Sequence, residues 1–238
     1  MSEIERFIMD YAEGHPVFTS TEIAAAIPDT ILMSHATLEW HLSRLTKDGT
    51  LGRIGKGKYT AEPRAIFVSG KADTDKDLSD MLKESYPDAT FCVYKGTIFS
   101  SLQHHLSYNA LTYVETQREL TEAVFRRFQE EGRRVFHRPD KKTFYDYVDI
   151  SQPGLIIKPL VSGSPLQESN GVTVPMLEKL LVDIRCDADF DYLAGSEAFR
   201  MLDNAISLFT INITKLLRYA GRRHRREEFE NDFNQLGL

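Results

Sequence analysis

Apolar residues recur every three or four positions at the start of the chain, which is the pattern of an amphipathic helix. Ile4, Phe7, Ile8 and Tyr11 carry this spacing and predict a helix over residues 3–13. The same spacing, together with capping residues before each segment, predicts two more short helices. These further helices cover residues 20–26 and 35–48.

The third predicted helix has two unlike faces. Leu38, Leu42 and Leu45 form its apolar stripe, and Trp40, the only tryptophan of the chain, is rotated away from Leu38 by about 200°. The glycine-rich residues 50–60 follow as a predicted β-hairpin. Three helices followed by a basic hairpin predict a winged helix-turn-helix, whose third helix enters the major groove of DNA.

Charge is distributed unevenly along this first segment. Six acidic residues precede the third helix, whereas between Arg44 and Lys58 the only acid is Asp48. We therefore expect one basic face that contacts double-stranded DNA. A winged helix that docks onto another protein is the open alternative. The predicted DNA contacts are Ser34, His35, Thr37, Trp40, His41, Arg44, Lys47, Arg53, Lys56 and Lys58.

Short apolar runs alternate with helical patterns from residue 65 onward, which predicts an α/β sheet. The fold class expected for the whole chain is mixed α/β (α+β), with a winged helix-turn-helix at 1–62 and an α/β domain at 65–238 that ends in helices. The predicted strands are 65–68, 91–94, 111–114, 134–136 and 155–157, with a hairpin at 165–174. The predicted helices are 74–85, 96–104, 118–131, 175–185, 195–208 and 212–234.

Composition restricts the class of protein. The chain has 238 residues, of which 42% are hydrophobic and 27% charged, as in ordinary globular proteins. No apolar run is long enough to span a membrane, and no secretory signal is visible. The two cysteines are too few for a disulfide framework, so we expect a cytoplasmic protein with reduced thiols. The net charge of −6 argues against wholesale coating of a polyanion but allows a local basic patch.

A search for catalytic and metal-binding patterns finds no complete set. His104 and His105 are adjacent and would point about 100° apart on a helix, so they do not share a metal ion. Glu178 and Lys179 resemble part of a nuclease site, but they fall on a predicted helix rather than on a strand. The sequence therefore predicts no catalytic site, no metal and no cofactor, and a protein that is not an enzyme.

Two charged clusters remain in the C-terminal half. Asp187, Asp189 and Asp191 lie between predicted helices, and we interpret them as a solvated loop. Basic residues of the last helix are partly neutralised by acids four positions later, as in the pair of Arg226 and Glu230. The rest of this basic run is either a solvated face or a second surface for phosphates. That second surface would consist of Lys215, Arg218, Arg222 and Arg223.

Several segments are together similar to one protein family. They are residues 34–38, 42–45, 49–51, 55–59, 99–106, 175–183 and 212–220. With these segments the chain resembles the AbiEi family of antitoxins from type IV toxin–antitoxin systems, although Met176 and Leu177 are inserted between Pro175 and Glu178. The resemblance implies a non-enzymatic autorepressor that binds operator repeats in DNA. It also implies an antitoxin that counteracts a nucleotidyltransferase toxin without a stable complex.

Two other functions stay open at this stage. One is a winged-helix transcription regulator whose C-terminal domain senses a small ligand. The other is a DNA-targeted nuclease that depends on Glu178 or Lys179. In the preferred interpretation the partner is double-stranded DNA and no membrane is involved, and assembly of a homo-oligomer on the DNA is left open.

Overall fold

The computed structural model describes the chain except for residues 1, 29–30, 32, 56, 62–64, 104–107 and 237–238. The architecture is mixed α/β, as the sequence predicts. The helices are α1 (Glu3–Gly14), α2 (Ser20–Ala26), α3 (His35–Lys47), α4 (Lys76–Ser85), α5 (Thr121–Glu130), α6 (Lys141–Tyr147), α7 (Leu177–Asp183), α8 (Ser196–Leu208), α9 (Ile213–Arg222) and α10 (Arg226–Gln235). The strands are β1 (Val17–Thr19), β2 (Gly52–Gly55), β3 (Lys58–Thr60), β4 (Cys92–Lys95), β5 (Leu111–Thr116), β6 (Val135–His137), β7 (Gly154–Pro159), β8 (Leu166–Ser169) and β9 (Val172–Pro175). Within the described residues, no helix combines the length and the apolar character needed to cross a membrane.

The N-terminal module has the element order α1-β1-α2-α3-β2-β3. Its three strands form an antiparallel sheet in the order β1-β3-β2, so β2 is an edge strand. Both α1 and α2 begin with reciprocal capping boxes, formed by Ser2 with Glu5 and by Thr19 with Glu22. The second of these boxes is the one that the sequence predicts. Three helices followed by a hairpin are found in the predicted order, and the strand β1 between α1 and α2 was not predicted.

The larger sheet has the strand order β4-β5-β7-β6. β4 is antiparallel to β5, whereas β5, β7 and β6 run parallel to one another. All residues of β5 and the inner residues of β7 are buried, because apolar clusters cover both faces of the sheet. A third apolar cluster belongs to the N-terminal module. Because β5 and β7 are parallel neighbours, side chains near their carboxyl ends lie close together.

The predicted hairpin at 165–174 is confirmed by the antiparallel strands β8 and β9. Asn170 and Gly171 connect them with φ angles of 53° and 76°. Two consecutive residues with positive φ are typical of a type I′ turn, for which Asn-Gly is the preferred pair.

Some predicted elements are wrong. Within the described residues, 65–68 form one isolated bridge, from Ala65 to Phe209, and Ile66 and Val68 are exposed. The predicted helix 96–104 is a short 3-10 turn at Gly96–Phe99, and its His104 lies outside the described residues.

The C-terminal helices also differ from the prediction. The single helix expected at 212–234 is two helices, α9 and α10, which are interrupted at His224 with a φ of 57°. Helix α6 was not expected from the pattern. It is a short helix that begins with a side-chain cap, where the Asp140 carboxylate accepts the Thr143 N–H at 2.7 Å.

Candidate nucleic-acid interface and a buried charged cluster

Helix α3 begins with a side-chain cap. The Ser34 hydroxyl accepts the backbone N–H of Thr37 at 3.2 Å, and the two hydroxyl oxygens are 2.9 Å apart. Ser34, His35 and Thr37 are all exposed. The first turn of α3 therefore presents polar groups to solvent.

The outer face of α3 lies opposite its buried leucine stripe. Trp40 is 57% exposed, and Lys47 is exposed on the same face two turns later. Ala36 and Ser43 lie on this line too, and both are exposed. Ser43 is not among the predicted contacts, although the spacing of residues 36, 40, 43 and 47 is the same as that of the buried leucines. This face is open to a partner along the whole helix.

The side of α3 that faces α1 is held by ion pairs. His41 Nδ1 and Arg44 Nη1 each lie 3.2 Å from the Glu5 Oε1 atom, and the Glu5 side chain is 2% exposed. A hydrogen bond from the Ser2 N–H, opposed by desolvation and assisted by His41 and Arg44, lowers the pKa of Glu5. The interpretation of His41 as a base-contacting residue needs correction, because its ring is turned toward α1 and only 12% of its side chain is exposed.

The Arg44 side chain is partly exposed, so it can also contact a partner. Its side chain is 48% exposed, and its Cζ atom lies 5.6 Å from the centre of the Trp40 ring. A cation near an aromatic face restricts both side chains. Arg44 therefore joins the exposed Trp40 to the anchored side of the helix.

The β2–β3 hairpin contributes the remaining predicted contacts. Arg53 is exposed on the edge strand β2, and Lys58 on β3 is half-buried. Lys56, the predicted contact at the hairpin tip, lies outside the described residues. The Tyr59 hydroxyl donates to Glu39 at 3.4 Å and so connects the hairpin to α3.

The predicted second basic surface divides into two parts. Lys215, Arg218 and Arg222 lie on one face of α9 because they are spaced i, i+3 and i+7. Arg223 does not belong to this surface, since its guanidinium pairs with Asp183 and Asp187 and only 16% of its side chain is exposed.

A buried charged cluster occupies the carboxyl end of the parallel strands. Lys158, at the end of β7, donates from Nζ to Asp187 and to Asp189 at 2.8 Å each. Lys158 also lies 4.4 Å from the centre of the Phe190 ring. The interpretation of Asp187 and Asp189 as a solvated loop is therefore wrong, because both carboxylates are drawn inward by this ammonium.

The same cluster continues toward α7. The Lys179 ammonium donates to Glu115 Oε1 at 2.8 Å and to Asp183, and Asp183 also accepts from the Tyr219 hydroxyl at 2.9 Å. Lys179 and Asp183 are each 1% exposed. The cluster therefore consists of four carboxylates and three cations. They are Glu115, Asp183, Asp187, Asp189, Lys158, Lys179 and Arg223.

Burial and pairing shift the titration of these groups in opposite directions. Burial raises the pKa of Asp183 to about 6 against the opposing effect of Lys179. Burial also acts to raise the pKa of Asp187, but the charges of Lys158 and Arg223 outweigh it and the pKa is lowered. For Lys158, burial acts to lower the pKa, and the surrounding carboxylates raise it well above its usual value. The lysines of the cluster are therefore held charged.

A cavity of about 280 Å³ adjoins the cluster, with Lys158, Asp187 and Arg223 in its wall. Exposed Arg138 follows β6 with a φ of 46° and also lines this cavity. The cluster is not predicted from the sequence, because Lys158 and Glu115 each follow an apolar run, and such a run indicates only a strand. The charged atoms satisfy one another, so the arrangement ties the sheet to the C-terminal helices.

The residues considered for a nuclease site face inward. Glu178 Oε1 accepts the Asn212 N–H at 2.9 Å, and the Glu178 and Lys179 residues are 4% and 1% exposed. Glu178 is thus bonded to the start of α9, and Lys179 belongs to the buried charged cluster. Among the described residues, no three His, Cys, Asp or Glu side chains are placed to hold a metal ion together. His104 and His105 lie outside that description.

Comparison with known proteins gives one family. The sequence model of a family described as a family of unknown function, DUF6577, matches residues 37–237. The match begins within α3 and continues through the hairpin, the mixed sheet and the C-terminal helices. No curated protein matches the chain.

Proposed function

We propose that this chain, which belongs to the DUF6577 family of unknown function, is a regulator that binds double-stranded DNA. In this proposal the N-terminal module is a winged helix-turn-helix. Its helix α3 enters the major groove, and the β2–β3 hairpin contacts the flanking sugar-phosphate backbone.

The observation that carries the proposal is the exposed outer face of α3. A tryptophan that is 57% exposed is unusual on a helix whose leucines are all buried, and here it shares a face with Lys47. The packing of α3 against α1 and α2 supports the proposal further, because residues 36, 40, 43 and 47 on the other side of the helix are all exposed.

The proposal assigns separate roles to the exposed residues. Trp40 and Ser43 face the groove, where an aromatic ring packs against base edges or sugars and a hydroxyl accepts or donates hydrogen bonds. Lys47 and Arg53 contact phosphates, which supplies affinity without sequence preference. His41 positions the helix through Glu5 and does not read bases.

The test is fluorescence anisotropy with a labelled duplex that carries the DNA upstream of the chain's own gene, measured over a series of salt concentrations. We expect Trp40→Ala to weaken binding at least about tenfold, a loss of about 1.4 kcal/mol. Lys47→Ala should weaken binding to every sequence and reduce the salt slope by about one.

Matched controls separate this face from general effects of charge and aromatic content. Tyr147 is 72% exposed on α6, and Lys142 is exposed on the same helix. Tyr147→Ala and Lys142→Ala should bind DNA as the parent does. If the parent prefers its upstream DNA no more than a scrambled duplex, or if the control variants lose as much affinity as the α3 variants, the proposal fails.

The proposal extends to autorepression and to antitoxin activity against a nucleotidyltransferase toxin. The resemblance to the AbiEi family supports this extension, and two of its segments fall on α7 and α9, which pack together. We expect the parent, and not Trp40→Ala, to repress a reporter placed behind its own upstream DNA. Co-expression with a type IV nucleotidyltransferase toxin should restore growth, and a failure to do so would remove the antitoxin role alone.

A further inference from the structure

A groove of about 630 Å³ lies between the N-terminal module and helix α9. Thr46, at the end of α3, and Arg53, on the edge strand β2, line it from the module. Lys215 and Arg218 line it from α9, together with Thr214. The groove therefore begins at the base of the hairpin that the proposed function places against DNA.

Positive charge is in excess among the described residues that line this groove. Glu178 is the carboxylate that lines it, and its Oε1 atom is occupied by the Asn212 N–H at 2.9 Å. Lys215 Nζ lies 3.3 Å from the Met176 sulfur rather than beside an acid. In the described part of the chain, neither Lys215 nor Arg218 forms an ion pair with a carboxylate. Lys215 and Arg218 therefore leave the α9 side of the groove positively charged.

We propose that this groove and the adjoining face of α9 bind the phosphate backbone of the same duplex that α3 contacts. The inference rests on the proposed function and extends it. The DNA would continue past the hairpin and along α9, so that the C-terminal part of the chain lengthens the contact with flanking DNA.

The length of the basic face favours a DNA strand over a small anion. Lys215, Arg218 and Arg222 follow one face of α9 over about 10 Å, at 1.5 Å per residue. Arg222 is exposed beyond the groove, where it lies over Gly163. A single small anion would be bound within the groove, whereas a line of charges that continues outside it matches the repeating charge of a DNA backbone.

The test compares the salt dependence of binding in the parent and in the double variant Lys215→Ala with Arg218→Ala. We expect the slope of log affinity against log salt to decrease by about two in the double variant, on the cognate and the scrambled duplex alike. The matched control removes two exposed lysines that do not line the groove, Lys83 on α4 and Lys142 on α6. The control should keep the parent's slope.

Three results would overturn the inference, and they separate it from the proposed function. An unchanged slope in the double variant, with a slope still reduced by Lys47→Ala, removes the groove and leaves the DNA-binding face of α3. Stabilisation of the parent by inorganic pyrophosphate in the absence of DNA, lost in the double variant while the slope stays unchanged, identifies a small-anion site instead. A parent that does not bind DNA removes both proposals.

Discussion

Removal of the Lys179 ammonium is the sharpest perturbation of the buried charged cluster. Lys179→Met keeps most of the hydrocarbon stem and leaves Glu115 and Asp183 without the cation that lies 2.8 Å from Glu115. The Lys179 side chain is 1% exposed, so water cannot replace it. Loss of one partner of a buried ion pair costs about 3–5 kcal/mol. At about 2–4 °C per kcal/mol for a chain of this size, Tm should fall by roughly 6–20 °C at pH 8.

The pH dependence of this loss has a definite sign. Burial raises the pKa of Asp183 to about 6, and Lys179 is the strongest influence that opposes the rise, so the variant raises this pKa further. A carboxyl with a higher pKa in the folded state binds its proton more tightly when folded. The stability that protonated Asp183 contributes is therefore fully present below the pKa of the unfolded state, and it is lost as pH rises through the pKa of the folded state. We expect the variant to differ less from the parent at pH 5 than at pH 8.

Urea and thermal unfolding followed by far-UV circular dichroism measure this loss. The double variant Lys179→Met with Asp183→Asn removes a carboxylate together with the ammonium, and we expect it to recover part of the lost stability. Lys83→Met, on an exposed side chain, should stay within about 0.5 kcal/mol of the parent. A Lys179→Met protein within about 1 kcal/mol of the parent at pH 8, or equally destabilised at pH 5 and pH 8, would show that the ammonium does not stabilise the buried carboxylates.

Three further predictions concern local structure. Ser34→Ala removes the cap of α3 and should lower the free energy of unfolding by about 1 kcal/mol, measured by urea denaturation with tryptophan fluorescence; no change would show that the cap is dispensable. Gly171→Ala places a side chain at a φ of 76° and should lower the free energy of unfolding by about 1 kcal/mol or more. Gly14→Ala, at a helix end with open space around it, should be neutral or stabilising, and the opposite order of stabilities would contradict the turn assignment. Burial raises the pKa of Cys186 to about 11 and that of Cys92 well above its usual value, so a thiol reagent at pH 8 should label both in urea and neither in the folded protein; rapid labelling of either when folded would count against this burial.

Local patterns in the sequence predict the N-terminal module well. The helix at 20–26 is found with the predicted bounds, because its capping box and its short apolar pattern are complete within a few residues. The same holds for the hairpin turn at Asn170 and Gly171, where two adjacent residues specify the backbone conformation. The interruption between α9 and α10 was missed because His224 adopts positive φ without a glycine to indicate it.

The buried cluster could not be predicted in this way, because its partners are distant in sequence. Lys179 and Glu115 are separated by 64 positions, and Lys158 and Asp189 by 31. Each residue taken alone resembles an ordinary surface charge at the end of an element. These charges meet at the carboxyl end of the parallel strands only because the strand register places Glu115 beside Lys158. Arg223 was predicted to lie on a basic surface for the same reason, because its partners Asp183 and Asp187 are distant in sequence.

We propose above that the outer face of α3 contacts double-stranded DNA, and the fluorescence of Trp40 reports on that contact. Because Trp40 is the only tryptophan of the chain, its emission reports on this face without a label. We expect titration with the upstream duplex to change the emission of Trp40, and the change to saturate at the same DNA concentrations as the anisotropy. Binding detected by anisotropy with an unchanged Trp40 emission would place the DNA on another surface, and no binding by either method would contradict the claim itself.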